Sequence, residues 1–438
     1  MKRVLLISPD TIKKKMTGPA IRYFNFAKEL SKDLDVVLFI PNTESDIDFN
    51  QFKFRVIRGT ASELKKEVNN VDSIVIQGIA LRLYPFVKKA QKPIVVDIYD
   101  PLTLENLELR KNIAIKDRIT YHETDLDIIL EQLAIGDYFI CANEKQKDYW
   151  LGMLAAINRV NPYTYLDNEK MDKLIGIVPF GLDNEEPVKT KQVLKGVWPG
   201  IEKEDKVLIW GGGIWNWFDP ITLIEAINLV VKKRQDIKLF FMGIGHPNAN
   251  IDISVAEKAI ELCKKYGLYD KNVFFNDWVP YEERQNYLLE ADIGVSTYYD
   301  NLETRFSFRT RILDYLWCEL PMILTKGDYM ADLAKREQLG LCYEEKNYKE
   351  LSEIIVQLVD EGDLYRECKK NINKEKNIYR WEKCIEPLLM FCEKPSVAED
   401  KKNKVNILYK NSYIRILKYF YIRLRYKIKR ILANSILR

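Results

Sequence analysis

The chain is poor in the residues and segments on which many protein functions depend. It has only two histidines, and its seven cysteines are scattered without a C-x-x-C pair, so the common zinc-binding patterns are excluded. The uncharged stretch from Val207 to Phe218 is too short to cross a bilayer, no uncharged stretch exceeds 13 residues, and the apolar run near Met1 is too short for a signal peptide. We therefore expect a cytoplasmic chain with buried thiols and no structural zinc.

Acidic residues are also absent from one end of the chain. Residues 401–438 contain twelve Lys and Arg and no Asp or Glu, whereas residues 1–400 carry a formal charge of −8 within a total of +4 over 438 residues. The main body is thus mildly acidic and the basic charge belongs to the tail. Nucleic acid is therefore not an expected partner.

Strands and helices alternate through the first 180 residues, which predicts a parallel sheet with helices on both faces. A long charged helical segment is predicted from Pro101 to about Ile135. The strands are predicted at Arg3–Ser8, Asp35–Ile40, Phe54–Arg58, Ser73–Gln77, Ile94–Tyr99, Tyr138–Ala142 and Leu174–Val178. The loop after the first strand contains Gly18, and such loops are ligand sites in open α/β sheets.

A second alternation begins near Lys206 and predicts another doubly wound domain of similar size. We divide the chain into residues 1–180, 184–375, a returning helix at 376–394, and a linker with a basic tail at 395–438. The two domains are expected to enclose a cleft, which is a common place for ligands.

Three glycines, Gly211 to Gly213, lie between the apolar run 207–210 and a helix start at Asp219-Pro220. Glycines at such a turn allow backbone N–H groups to approach a phosphate, and the helix N-terminus favours negative charge. Gly212 and Gly213 are the candidate ligands. A tight turn that packs the helix on the sheet is the alternative. Gly243 and Gly245 follow the next strand, and we expect their turn to line the same pocket.

The tail predicts an amphipathic helix from Ile407 to Leu437, with apolar residues on one side and basic residues on another. Its interleaved tyrosines and lack of acids suit an anionic membrane surface. A helix docked on the body, with its basic face in solvent, is the alternative.

Three segments resemble the GT-B glycosyltransferases of family 4, also called group 1. They are Thr17–Ala20 at a helix start, Val178–Asp183 between the domains, and Asp314–Thr325. The resemblance extends over about residues 1–392. It implies a retaining transferase that needs no metal or other cofactor, uses a nucleotide-diphosphate sugar, and has a last helix that returns to the first domain.

The resemblance also implies a donor site, from which this sequence departs. The second acid of the family's E-x7-E pattern falls on Asp314, while the first falls on Phe306, so that Glu303 is the nearest substitute. The family's Arg and Lys after the first strand of the second domain are absent. Asn216, among aromatic residues 215–218, stands in that place.

Arginines near the Ser307 helix are candidates to replace the missing cations, because a leaving diphosphate gains negative charge that fixed cations stabilise. Arg309 is the first choice, followed by Arg305 and Arg311. Salt bridges to Glu303 and Asp314 are the alternative role.

On the acceptor side, Asp97 and Asp100 end a predicted strand aimed at the cleft, near a position where family members often carry a histidine. Asp100 is preferred and Asp97 comes second. A carboxylate there could orient the acceptor hydroxyl, although the leaving phosphate can itself take the proton in a retaining front-side reaction. A helix cap before Pro101 is the alternative.

The sequence therefore predicts a glycosyltransferase that moves a sugar to a hydroxyl of a glycan or polyprenyl-linked acceptor in surface polysaccharide synthesis, held peripherally at the inner face of the cell membrane through residues 406–438. The alternatives are a non-catalytic partner that binds nucleotide sugars in a polysaccharide assembly complex, and a nucleotide-sugar epimerase of the same fold.

Overall fold

The computed structural model describes residues 1–244, 254–409 and residue 421, and these fold as two α/β domains and a returning segment. Strands of the first domain are β1 (Arg3–Ile7), β2 (Asp35–Ile40), β3 (Arg55–Arg58), β4 (Ser73–Gln77), β5 (Ile94–Asp97), β6 (Tyr138–Cys141) and β7 (Ile175–Ile177). Its helices are α1 (Gly18–Leu30), α2 (Ala61–Val68), α3 (Ala80–Leu83), α4 (Leu102–Leu109), α5 (Ile115–Ile135), α6 (Glu144–Ala156) and α7 (Pro162–Asp167). Short 3₁₀ helices lie at Phe49–Gln51 and Pro85–Lys89.

The second domain has the same alternation. Its strands are β8 (Lys206–Trp210), β9 (Ile237–Phe241), β10 (Val273–Phe275), β11 (Ile293–Ser296), β12 (Met322–Thr325) and β13 (Gly340–Tyr343). Its helices are α8 (Pro220–Val230), α9 (Ser254–Tyr266), α10 (Arg284–Leu288), α11 (Leu302–Phe306), α12 (Thr310–Trp317), α13 (Tyr329–Arg336), α14 (Tyr348–Val359) and α15 (Asp363–Glu375), with 3₁₀ turns at Tyr281–Glu283 and Lys376–Tyr379. The returning segment contains α16 (Trp381–Cys384), α17 (Glu386–Glu393) and α18 (Glu399–Lys402).

Both sheets are parallel and doubly wound, as the sequence predicts. The strand order among the described residues is β3-β2-β1-β4-β5-β6-β7 in the first domain and β10-β9-β8-β11-β12-β13 in the second. Central strands are buried on both faces, which explains their continuous apolar runs. Each order reverses beside the first strand of its domain, so the loops after β1 and β8 lie at the switch point where ligands bind in such sheets.

Some predicted helices are divided or shifted. The segment 101–135 forms α4 and α5 with a turn between them, and helix α3 is short and ends at Leu83. Pro85 explains this second break, because the residue before a proline avoids helical angles, and Tyr84 has φ −128° and ψ 68°. Helices α7, α11, α15 and α18 were not predicted from the sequence.

The domains are joined by two chain crossings that lie side by side. Leu182 exchanges backbone hydrogen bonds with the returning segment, from its N–H to the oxygen of Tyr379 (2.6 Å) and from the N–H of Trp381 to its oxygen (3.0 Å). A Cβ on Gly181 would stand 2.4 Å from the Trp381 ring, so only glycine fits there. Trp381 also contacts Phe26 of α1, which fixes the returning segment on the first domain.

The segment 395–404, predicted to be a polar linker, instead docks on the first domain. Asp400 and Arg159 are both fully buried and form a salt bridge of 2.5 Å. Residues up to Tyr409 continue along this domain, since the Leu408 N–H donates to the oxygen of Ile157 (3.0 Å). The predicted basic helix from Ile407 to Leu437 lies almost wholly outside the described residues. None of the described helices has both the length and the hydrophobicity to cross a membrane.

Replacement of Asp400 should destabilise the first domain. In an Asp400→Ala variant the buried Arg159 guanidinium loses its counter-charge, and breaking such a pair costs about 3–5 kcal/mol. Chemical unfolding of the full chain measures the loss. The matched control is Glu399→Ala, whose partner Lys402 is exposed. An Asp400→Ala variant as stable as this control would contradict the docking.

Candidate active site

A cavity of about 180 Å³ lies between the two domains, and each group of its lining residues follows a strand. Gly18 follows β1, Tyr99 to Glu105 follow β5, Trp215 to Phe218 follow β8, and Glu303 to Arg311 follow β11. The cavity therefore occupies the switch-point edge of both sheets, where the sequence predicts a ligand.

The glycine turn after β8 is held in a fixed shape. Gly212 has φ +76°, a conformation that favours glycine. The Tyr315 hydroxyl accepts from the Gly211 N–H (2.9 Å) and donates to the oxygen of Val295 (2.7 Å), which ties the turn to β11. Asp219 caps α8 as predicted, accepting from the Thr222 N–H at 3.0 Å. Gly212 is exposed, so its backbone is accessible to a ligand.

Arg311, in the first turn of α12, reaches this glycine turn. Its Nη2 donates to the oxygen of Gly213 (2.8 Å), and its guanidinium stacks on Phe218 at 3.9 Å. Its buried Nη1 has no hydrogen-bond partner, and no carboxylate of residues 1–244 and 254–409 lies within 4 Å. Burial lowers the pKa of Arg311. A partly buried cation without a counter-charge favours an incoming anion.

Arg309 differs from Arg311 because two carboxylates balance its charge. Glu303 accepts from both of its terminal nitrogens, at 3.1 and 2.7 Å, and Asp328 lies 3.9 Å from Nε. Burial lowers the pKa of Arg309, but the charges of Glu303 and Asp328 outweigh burial and raise it overall. The predicted alternative of a salt bridge to Glu303 is present. Both residues line the cavity.

Two other predicted donor residues lie elsewhere. Arg305 is exposed and does not line the cavity. Asp314 accepts from Arg284 Nε (2.9 Å), and the same guanidinium contacts Asp183 at the domain junction (3.0 Å). Asp314 thus connects α12 to the junction through Arg284.

Some of the predicted glycine and amide residues also lie at the cavity, whereas others do not. Gly18 lines the cavity beside the Tyr99 hydroxyl, and Asn216 lies between Trp215 and Trp217, two lining residues that stack at 6.0 Å. Gly243 does not line the cavity, because it packs under Trp278, whose ring would stand 3.1 Å from an added Cβ. Gly245 lies outside the described residues.

The first domain contributes a pair of carboxyl groups that hydrogen-bond to each other. Asp100 was predicted, but Glu105, in the first turn of α4, was missed. The charge of Asp100 and then burial raise the pKa of Glu105 well above its ordinary value, and burial raises that of Asp100. One proton between the two oxygens, held by Glu105, relieves the repulsion. The position of Glu105 in the first turn of α4, five residues after Asp100, is the feature of the sequence that could have indicated this pair.

The structure places Asp97, the second choice for the acceptor side, away from the cavity. It is fully buried and does not line the cavity; instead, both of its oxygens accept from Arg22, at 2.7 and 3.1 Å. Arg22 also donates to the backbone oxygens of Val178 and Pro179, at 2.8 and 2.9 Å. Asp97 therefore orients Arg22, which connects α1 and β5 to the domain junction. Among the described residues, no group of three or more His, Cys, Asp and Glu side chains has a metal-binding arrangement.

The shared proton predicts a pH-dependent stability. The folded chain keeps a proton on Glu105 that the unfolded chain loses above the ordinary pKa of 4.5, so the free energy of unfolding falls as pH rises from there toward the raised pKa. Glu105→Gln removes this loss. We expect the free energy of unfolding of the variant minus that of the unmodified chain to increase from pH 5 to pH 8, by at most about 1.4 kcal/mol per pH unit. Chemical unfolding at both pH values measures this, with the exposed Glu123→Gln as control, and a pH-independent difference would refute the shared proton.

The comparisons with known proteins agree with the two-domain architecture. Residues 199–375 match the family model described as "Glycosyl transferases group 1". No curated protein sequence matches the chain.

Solved structures of similar fold cover nearly the whole chain. Sucrose-phosphate synthase from Thermosynechococcus elongatus is 16% identical with a TM-score of 0.59, over 89% of this chain and 97% of that one. HepE from Anabaena, solved in complex with UDP, is 13% identical with a TM-score of 0.60, over 90% and 99%. WaaG, a glycosyltransferase involved in lipopolysaccharide biosynthesis, is 14% identical with a TM-score of 0.60, over 89% and 100%.

These matches confirm the resemblance stated from the sequence. The fold comparison covers about nine-tenths of the chain, while the family match falls on the domain that contains the glycine turn, Arg309 and Arg311. The chain has the two-domain GT-B fold, and residues 199–375 in its second domain match the glycosyl transferases of group 1.

Proposed function

We propose that this chain is a retaining glycosyltransferase that moves a sugar from a nucleotide-diphosphate sugar to a hydroxyl group. The observation that carries the donor half is Arg311, a partly buried guanidinium beside the exposed Gly212 with no carboxylate partner among the described residues. The complexes of HepE with UDP and with UDP-glucose support a donor of this class.

The diphosphate is proposed to bind between Arg311, the N-terminal end of α12 and the turn at Gly212 and Gly213. As the bond between the sugar C1 and the phosphate oxygen breaks, negative charge grows on the phosphate. Arg311 and the helix N-terminus stabilise this charge without moving, so they lower the barrier. Fixed protein charges then fill the role that a metal ion has in other transferases, in line with the metal-independent reaction that the resemblance implies.

The acceptor hydroxyl is proposed to face Asp100. The oxygen of the acceptor hydroxyl forms the new bond to the sugar C1 on the face from which the phosphate leaves. The proton of that hydroxyl passes to the leaving phosphate, so the configuration at C1 is retained and the charges balance. Asp100 accepts a hydrogen bond from the hydroxyl and orients it, while Glu105 keeps the shared proton. In this assignment Asp100 contacts substrate and Glu105 positions Asp100.

A non-catalytic protein that binds nucleotide sugars is the second candidate, and one observation favours it. Two residues expected in the donor site are engaged elsewhere, since Glu303 pairs with Arg309 and Asp314 with Arg284. Incubation with UDP-sugars and GDP-sugars separates the two functions, because release of free sugar or transfer to an acceptor requires catalysis. Nucleotide binding without turnover on any acceptor would favour the second candidate.

Arg311→Ala should weaken nucleotide binding. The loss of a charge-assisted contact to phosphate corresponds to about tenfold to a hundredfold in affinity. Thermal-shift titration of the full chain with UDP, GDP, dTDP and CMP identifies the preferred nucleotide, and titration with that nucleotide then compares variants. Arg305→Ala is the matched control, because Arg305 belongs to the same segment but lies outside the cavity. Equal affinities for Arg311→Ala and this control would overturn the donor site.

The acceptor is proposed to be a glycan or a polyprenyl-linked precursor of a surface polysaccharide. The basic tail supports this context, because a transferase that acts on a lipid-linked acceptor needs to reach the inner face of the cell membrane. Each basic residue near anionic lipid contributes about 1 kcal/mol, and residues 410–438, which follow the docked segment, contain nine Lys and Arg and no Asp or Glu. The similarity to WaaG, a glycosyltransferase involved in lipopolysaccharide biosynthesis, also supports a role in the synthesis of a surface glycan.

Removal of residues 410–438 should reduce binding to anionic vesicles. The truncation follows Tyr409, so the buried Arg159–Asp400 pair remains. We expect the full chain to float with vesicles that contain phosphatidylglycerol and to float less at high salt, and the truncated chain to lose most of this binding. Equal flotation of the two chains, or equal recovery of the full chain with neutral phosphatidylcholine vesicles, would exclude the tail as the anchor.

A further inference from the structure

We infer that the hairpin of α4 and α5, residues 107–119, is a second membrane contact and lies directly beside the acceptor side of the cavity. The inference rests on the proposed function, because it places a lipid-linked acceptor next to Asp100. It goes beyond that function by assigning a docking role to a surface in the first domain. The occupant to which we commit is an anionic lipid bilayer.

The hairpin exposes large apolar side chains. Ile115 is 67% exposed and Ile119 is 53% exposed, and their four-residue spacing places them on one face of α5. Leu107 and Leu109 at the end of α4 are also exposed. Four such side chains in thirteen residues are costly to leave in water, and a bilayer interface would cover them.

The charges around these residues suit anionic lipid. Lys116 is exposed at the hairpin, and Lys111 is also exposed but contacts Glu108 at 3.2 Å, whereas Arg110 turns inward to Asp125 at 2.5 Å. Residues 107–119 contain four Lys and Arg against two acids. Exposed lysines beside exposed isoleucines allow apolar insertion and headgroup attraction to act together, which favours a lipid surface over an uncharged protein partner.

The same helix α4 that exposes Leu107 also lines the cavity. Leu104 and Glu105 face the cavity, and Leu107 lies about one turn further along. A bilayer in contact with the hairpin would therefore be close to the acceptor side. A lipid-linked acceptor could then reach the Asp100–Glu105 pair without leaving the bilayer.

The position from which the tail continues agrees with this orientation. The Tyr409 hydroxyl contacts Asp127 of α5 (3.3 Å to Oδ1). Asp127 follows Ile119 by eight residues, about 12 Å along the helix axis. Tyr409, which immediately precedes residues 410–438, therefore contacts the same helix that carries the exposed isoleucines.

The test uses the full chain and vesicles of phosphatidylglycerol and phosphatidylcholine. We expect Ile115→Ser/Ile119→Ser to lower vesicle partition about tenfold, and Lys111→Gln/Lys116→Gln to lower it mainly at low salt. The matched control is Ile378→Ser/Val356→Ser, which removes exposed apolar side chains from the second domain. The substituted positions are exposed, and thermal unfolding checks that each variant remains folded.

Equal flotation of the isoleucine variant and the control variant would overturn the inference, and so would the absence of flotation of the unmodified chain. Self-association in light scattering that the isoleucine substitutions abolish would also overturn it, because the patch would then bind a second copy of the chain. UDP-induced thermal stabilisation is measured in parallel. Because these substitutions lie outside the donor site, unchanged stabilisation with failed flotation removes the docking surface alone, whereas absent stabilisation by every nucleotide removes the proposed function.

Discussion

The buried pair of Arg309 and Glu303 determines how charge is distributed in the cleft. Glu303 accepts from both terminal nitrogens of Arg309, and Asp328 lies on its other side, so Arg309 is already neutralised. Arg311, two residues later, contacts a backbone oxygen and aromatic rings but no carboxylate among the described residues. The pair therefore separates two neighbouring arginines into one that holds the loop before α12 and one that can attract an anion.

Ion pairs also hold the domain junction. Arg22 is held by Asp97 and contacts the chain at Val178 and Pro179, while Arg284 joins Asp183 to Asp314. Each ion pair connects a residue near the cleft to the junction. A change in the angle between the domains would have to alter these contacts, so the junction and the site are mechanically connected.

The architecture was largely predictable because it depends on local patterns. Continuous apolar runs predict buried parallel strands, and the bounds of β2 and β4 agree with the predictions. The missed helix α7 also had a local signal, since Asn161 caps it and Pro162 begins it. The glycine turn was predictable for the same reason, as three small residues lie between a strand and a capped helix.

The assignment of individual side chains was less predictable, because it depends on residues distant in sequence. Asp97 and Asp100 are three positions apart, but Arg22, seventy-five residues before Asp97, turns Asp97 into the core and leaves Asp100 at the cavity. Arg309 and Arg311 are equally basic in sequence, and only the fold of α11 decides which one Glu303 reaches. The docking of residues 395–409 depends on Arg159 in the same way.

A crystal structure of the full chain with the nucleoside diphosphate that stabilises it most would test the account most directly. We expect the diphosphate to contact Arg311 and the backbone of Gly212 and Gly213, with the Glu303–Arg309 pair intact. A diphosphate bound to Arg309 with that pair broken, or bound outside the cleft, would contradict it.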